Sequence, residues 1–174
     1  MVKLIIFILV SAVLILFSWP SLHNRHSHGF YRFFSFETLL VLILSNADRW
    51  FENPVALHQL VSWIFLGCSL ILAVHGFYLL RVVGRPRGNI ENTTQLVIVG
   101  AYKYIRHPLY GSLVFLAWGA FFKDITLLGG LLSLVTCLFL FAAARVEESE
   151  NLAKFGGEYT AYMRSTKMFV PFLF

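Results

Sequence analysis

Apolar residues in this chain come in long unbroken runs separated by short polar clusters, with little alternation. The first run, Leu4 to Trp19, lies behind Lys3, and Ser18-Trp19-Pro20 is expected to close it with an interfacial aromatic and a helix stop. The polar stretch SLHNRHSHG follows, then a shorter run from Phe33 to Leu44 that suits a tilted or re-entrant helix as well as a full crossing. A turn-rich loop, Ser45 to Arg49 with Glu52-Asn53-Pro54, leads to the longest run, Val55 to Val83. Pro108 to Phe122 and Ile125 to Ala144 are separated only by Lys123 and Asp124, so the helices they predict must lie antiparallel as a hairpin. Gly111, Gly119, Gly129 and Gly130 would let helix backbones approach closely there. Runs of this length suit helices crossing a hydrocarbon core of ~30 Å. The expected fold is an all-α integral membrane protein of about five transmembrane helices, in one domain spanning residues 1–174.

The last run passes into Arg145-Val146-Glu147-Glu148 without a break signal, so its helix is expected to emerge into water. Leu152, Phe155, Tyr159 and Tyr162 then recur at helical spacing, with Lys154, Glu158 and Arg164 off the stripe. That pattern predicts an interfacial amphipathic tail, broken at Gly156-Gly157, with the terminal MFVPFLF returning to the membrane surface.

Composition agrees with the runs: 58% of residues are hydrophobic and 13% charged, with a mean hydropathy of +0.73. A soluble domain is excluded. The net charge of +5 is dispersed in loops beside the apolar runs, which fits anionic headgroups and not nucleic acid. With five spans, three Lys and Arg fall on one side and eleven on the other. The positive-inside tendency then puts the second side, with the junction before Pro108 and the tail, in the cytoplasm. The membrane would be that of the endoplasmic reticulum in a eukaryote or the cell membrane in a prokaryote, and the sequon at Asn92 would stay unglycosylated. Cys68 and Cys137 lie in apolar runs without metal spacing, and His23, His26 and His28 lack a carboxylate or thiol companion. No metal site is expected. His58, Gln59 and His75 are polar groups within the third run, pathway candidates by position; His58 is expected to be wet near the interface and His75 to bond a neighbouring backbone, and neither is assigned to the site.

Chemistry concentrates in Thr94 to Gly111, which holds three tyrosines, two cations, a histidine and Pro108 just before the chain turns apolar. Proline suits the first turn of a helix, whose unpaired N–H groups favour an anion. The hairpin would bring this stretch to a second polar cluster, Arg145 to Asn151, in which Glu147 and Asn151 lie one turn apart. A carboxylate opposite a helix start, with tyrosines and a histidine between, suits a zwitterionic, ribose-bearing molecule.

The pattern Gly100, Tyr102, Ile105, Arg106-His107-Pro108-Leu109-Tyr110, an apolar hairpin, then Glu147-Glu148, Phe155-Gly156, Tyr159 and Tyr162 resembles the isoprenylcysteine carboxyl methyltransferases and related membrane methyltransferases. The resemblance covers Thr94 to the end and implies S-adenosylmethionine bound without a Rossmann fold. It assigns cofactor contacts to Thr94, Gln95, Leu96, Val97, Tyr102, His107, Pro108, Leu109, Tyr110 and Glu147; Gly100 in the junction and Asn151, one turn from Glu147, are added as candidates from their position in the chain. His107 and the helix start at Pro108 would meet the methionyl carboxylate, Glu147 a ribose hydroxyl or the amino group, and Arg106 or Arg145 would orient an acceptor carboxylate. Ala143 stands where eukaryotic members carry a substrate-contacting arginine, and Asn151 where a leucine is usual. The expected activity is methylation of a prenylated cysteine or similar lipophilic acceptor entering from the bilayer. Methyl transfer from a sulfonium needs in-line positioning and a dry pocket, and a carboxylate acceptor needs no general base. The alternatives are a phospholipid or amine N-methyltransferase, an NADPH-dependent sterol-type reductase, and a non-enzymatic scaffold or transport subunit.

Overall fold

A computed structural model describes residues 1–88 and 92–170, which are helical apart from turns, loops and one isolated β-bridge. Among them are six α-helices: α1 (Val2–Leu22), α2 (His28–Asn46), α3 (Leu57–Val82), α4 (Pro108–Phe121), α5 (Leu127–Phe155) and α6 (Gly157–Ser165). Single 3₁₀ turns occupy Ala47–Arg49 and Gly100–Lys103. Four of the helices, α1, α2, α3 and α5, are long and apolar enough to cross a membrane. The fifth expected span, α4, has 14 residues, or ~21 Å at 1.5 Å per residue, against a core of ~30 Å. The short second run is the middle of a 19-residue helix whose N-cap, Ser27, accepts from the Gly29 N–H at 3.2 Å. Part of the expected surface return of MFVPFLF, and part of the loop Gly84 to Gln95, fall outside the described residues.

One expectation fails at Pro20, which lies inside α1 instead of ending it. A proline deletes one helical N–H and crowds the carbonyl four residues back. Only Ser21 and Leu22 follow Pro20 in the helix, so little hydrogen bonding remains to be disrupted.

The chain groups into two compact units: residues 1–66 with 114–147, and residues 67–113 with 148–174. In the first unit α1 packs on α2, tied by Lys3 to Asp48 at 2.6 Å and by the Ser11 hydroxyl to Glu37 at 2.8 Å. Glu37 is a mid-helix carboxylate that the sequence reading passed over. The expected hairpin forms: Ser133 donates to the Ala117 carbonyl at 3.3 Å, and a Cβ on Gly129 would lie 3.3 Å from the Phe121 ring, so the strands of contact run antiparallel. Gly119 serves another neighbour. A Cβ there would sit 2.9 Å from the Leu66 side chain, and Ser62 donates to the Gly119 carbonyl at 2.7 Å, so this glycine seats α4 against α3.

The residues between α4 and α5 are held from inside the protein. Lys123 is 1% exposed, donates to the Gln59 side chain at 3.0 Å and lies 3.2 Å from the Trp63 ring centroid. The Gln59 amide donates in turn to the carbonyls of Arg49 and Lys123, each at 3.1 Å, and Asn46 donates to the Ala120 carbonyl at 2.8 Å. The Gln59 amide thus bridges the Arg49 and Lys123 carbonyls, while the Asn46 amide adds a second donor to the Ala120 carbonyl, which also accepts from the Lys123 N–H at 3.1 Å. Desolvation holds the Lys123 ammonium below its usual pKa.

Candidate active site

The second unit contains the junction, and its geometry begins with Gly100. Its φ is +58°, a conformation costly to any residue with a Cβ, and such a Cβ would lie 2.5 Å from His75 Nε2 and 2.7 Å from Leu79. Glycine is required twice over. The turn that follows buries Tyr102 with Leu79 and Val97 into a small core, against which Leu80 and Val83 pack. Along the same face of α3, Gly76 admits Pro108 and Leu109, and Ser69 donates to the Ser112 carbonyl at 2.7 Å. The start of α4 is thereby fixed against α3.

After Tyr102 the chain is clamped by the segment beyond α6. Ile105 and Lys167 form the parallel bridge; the N–H groups of Arg106 and His107 donate to the carbonyls of Lys167 (2.8 Å) and Met168 (3.2 Å), and the Lys167 N–H to the Tyr104 carbonyl (3.1 Å). Tyr162 donates its hydroxyl to the Tyr102 carbonyl at 2.6 Å. Burial, and secondarily the neighbouring Tyr159, push the Tyr162 phenol well above its usual pKa, with Arg106 opposing. Tyr159 and Tyr162 of the expected amphipathic stripe are thus packed within the protein.

Arg106 is the hub. Its Nε donates to Glu148 Oε1 at 2.6 Å, and its Nη1 to the carbonyls of Met163 (3.3 Å) and Thr166 (2.5 Å). The side chains of Arg106 and Glu148 are 10% and 3% exposed, and His107 Nε2 lies 3.6 Å from the same carboxylate oxygen. Tyr110 stacks on His107 at 5.6 Å between centroids, and Phe169 tilts against it at 6.1 Å. The two polar clusters that flank the hairpin therefore meet, through Glu148. Adjacent helical residues differ by about 100° in direction, so Glu147 does not share this orientation. Glu148, Tyr162 and the carbonyls of Met163 and Thr166 are the members that sequence reasoning missed. The only trace of them was the Glu147-Glu148 pair and the tyrosine spacing.

The remaining candidates divide by exposure. Thr94 and Gln95 are exposed, anchored through their N–H groups to the Gly84 carbonyl, with the Thr94 hydroxyl on the Arg85 carbonyl at 2.9 Å. Leu96, Leu109 and Asn151 are half-buried, whereas Val97, Tyr102, His107, Pro108 and Tyr110 are buried. Glu147 (half-buried) and Arg145 (exposed) belong to the first unit. Among the described residues no group of three His, Cys, Asp or Glu is placed to hold a metal ion.

Four helices long enough to cross a membrane, with a buried arginine–carboxylate pair at the start of α4, describe a polytopic membrane protein. Comparison with known proteins narrows that class. A family model described as phospholipid methyltransferase matches residues 57–157, which include the junction, the hairpin and Glu148. The chain belongs to that family. It is also 32% identical over 113 residues to "Methanethiol S-methyltransferase 1" of Bradyrhizobium diazoefficiens, a match covering 63% of this chain and 39% of that protein. A second relative, "Methanethiol S-methyltransferase" of Crocosphaera subtropica, is 31% identical over 72 residues, 41% of this chain and 28% of its own length. The chain spans well under two thirds of both relatives.

Proposed function

We propose that this chain is a membrane methyltransferase that uses S-adenosylmethionine and methylates the sulfur of a small or lipophilic thiol. The observation that carries the reading is the family match across residues 57–157, which takes in the Arg106–Glu148 junction. The names of both relatives favour sulfur as the acceptor atom.

The donor set fits a nucleoside bearing an amino acid. The Thr94 hydroxyl and the Gln95 and Asn151 amides, all in the second unit, offer donors and acceptors of the kind that ribose, amino and carboxylate groups require. His107, Pro108 and Tyr110 act from behind them as a buried backing held by Glu148 and Phe169. When bound, the cofactor supplies an electrophilic methyl group on a sulfonium. The protein's part is to hold the junction rigid and keep water out. Arg106, whose guanidinium is engaged by Glu148 and two carbonyls, serves as the strut of this backing. The excess of Lys and Arg on the junction's side supports a cytoplasmic site.

The C-terminal Phe155-Gly156, Tyr159 and Tyr162 pattern resembles that of isoprenylcysteine methyltransferases, so the carboxylate of a prenylated cysteine is the second acceptor to test. Purified protein incubated with methyl-labelled S-adenosylmethionine and a panel of an alkanethiol, a prenylcysteine and phosphatidylethanolamine separates these by product mass. Label on the thiol sulfur is expected. Label only on the prenylcysteine or the lipid would overturn the acceptor. Thermal stabilisation by NADPH and none by S-adenosylhomocysteine would overturn methyl transfer altogether.

A further inference from the structure

Methylating a thiol raises a requirement that methylating a carboxylate does not. An alkyl thiol carries its proton at neutral pH, and the thiolate is the nucleophile. Some group must accept that proton. The buried junction is poorly suited, because His107 already faces the Glu148 carboxylate and is closed off by Tyr110 and Phe169.

His75 has the properties that the junction's histidine lacks. It lies on α3, within a helix long and apolar enough to cross a membrane, where an ionisable side chain is rare and usually functional. Its side chain is exposed and has no hydrogen-bond partner among the described residues. Its position is nonetheless fixed. Nε2 lies against Gly100, at 2.5 Å from where a Cβ would stand, while Leu79 one turn on is buried with Val97 and Tyr102, and Gly76 beside it faces Pro108 and Leu109. The same α3 face thus carries the wall of the junction and an uncommitted imidazole. The glycine it abuts has a left-handed backbone that only glycine takes readily.

We propose that His75 is the proton acceptor for the thiol in this reaction. The proposal rests on the methyltransferase reading above and deepens it. In the step, the acceptor S–H bond breaks and its proton passes to the unprotonated imidazole nitrogen of His75. The thiolate pair forms the new S–C bond as the sulfonium C–S bond breaks, leaving a neutral thioether on each side. The imidazolium then returns its proton to water. Gly100 is glycine because a side chain there would occupy the space in front of this nitrogen.

The test compares wild type with His75→Gln and His75→Asn on two thiols, an alkanethiol and an aryl thiol already ionised at the assay pH. With the alkanethiol the variants should lose about 10²–10³-fold in kcat/KM, and with the aryl thiol less than about threefold, because general-base assistance is needed only where a proton must leave. A second readout does not depend on turnover. With S-adenosylhomocysteine bound, wild type should convert added alkanethiol to bound thiolate, seen in its ultraviolet absorbance, and the variants should not. Affinity for S-adenosylhomocysteine and thermal midpoint should match wild type. Equal losses on both thiols, or an alkanethiol rate within about threefold of wild type, would overturn the proposal. So would thiolate formation in both variants. If wild type itself neither binds S-adenosylhomocysteine nor methylates either thiol, the underlying functional reading fails, an outcome distinct from failure of His75 alone.

Discussion

Replacing Glu148 by Gln tests the junction most directly. Glutamine keeps the size of the side chain and one carbonyl acceptor, so what is lost is the charge facing a guanidinium that is only 10% exposed. Breaking a buried pair by neutralising one partner costs roughly 3–5 kcal/mol, because the remaining charge stays desolvated. Arg106 keeps its bonds to the Met163 and Thr166 carbonyls, which favours the lower end, about 3 kcal/mol. For a chain of this size that corresponds to a fall of about 6–12 °C in the thermal midpoint. The measurement is circular dichroism of the detergent-solubilised protein through a melt. The cycle is completed by Arg106→Met and by the double substitution Arg106→Met with Glu148→Met. Removing both charges removes the uncompensated ion, so the double variant should be more stable than the sum of the single losses implies, with a coupling of about 1–3 kcal/mol. A Glu148→Gln midpoint within about 1 °C of wild type, or strictly additive losses, would refute the view that this pair holds the α4 entry.

Three further outcomes are expected. Tyr162→Phe removes the bond to the Tyr102 carbonyl and should cost about 1–3 kcal/mol. Because the folded Tyr162 pKa is raised, its stabilising effect is complete below the unfolded value of about 10 and is lost as pH climbs above it; a wild-type midpoint declining no faster than that of Tyr162→Phe across that range would contradict the assignment. Gly119→Ala places a methyl against Leu66 and should cost about 1–3 kcal/mol by overpacking, readable in the same melt; an unchanged midpoint would mean that α3 and α4 do not meet there as described. Lys123 has a folded pKa below its unfolded value, so its contribution to stability rises with pH up to about 10.5, and Lys123→Met should abolish that rise in a midpoint-against-pH series; an identical slope in the variant would refute it.

The helices were legible because a membrane span announces itself in a long apolar run, a property of consecutive residues that needs no tertiary information. The hairpin was legible for the same reason, since two runs separated by Lys123 and Asp124 have almost no other way to fold. Rotation about each helix axis was not. Glu147 and Glu148 are equivalent in the sequence, and packing around Arg106 decides which of them is buried. Gly119 read as a hairpin contact and turned out to seat Leu66 of α3, a partner that spacing along the chain does not reveal. Lys123 read as a polar link, yet Gln59 and Trp63 enclose it from more than fifty residues away. Pro20 misled for a local reason, because a proline near a helix end disturbs too few hydrogen bonds to stop the helix.

The separation between Arg106 and Glu148, 42 positions along the chain, bears on how the protein is made. When the first residues of α4 reach the insertion machinery, the carboxylate that will neutralise Arg106 has not yet been synthesised. The cation must wait in water or among headgroups until the far end of α5 arrives. Biogenesis of this region is therefore expected to proceed with α4 and α5 entering the lipid as a couple, and arrested nascent chains that stop short of Glu148 should leave Arg106 open to trypsin.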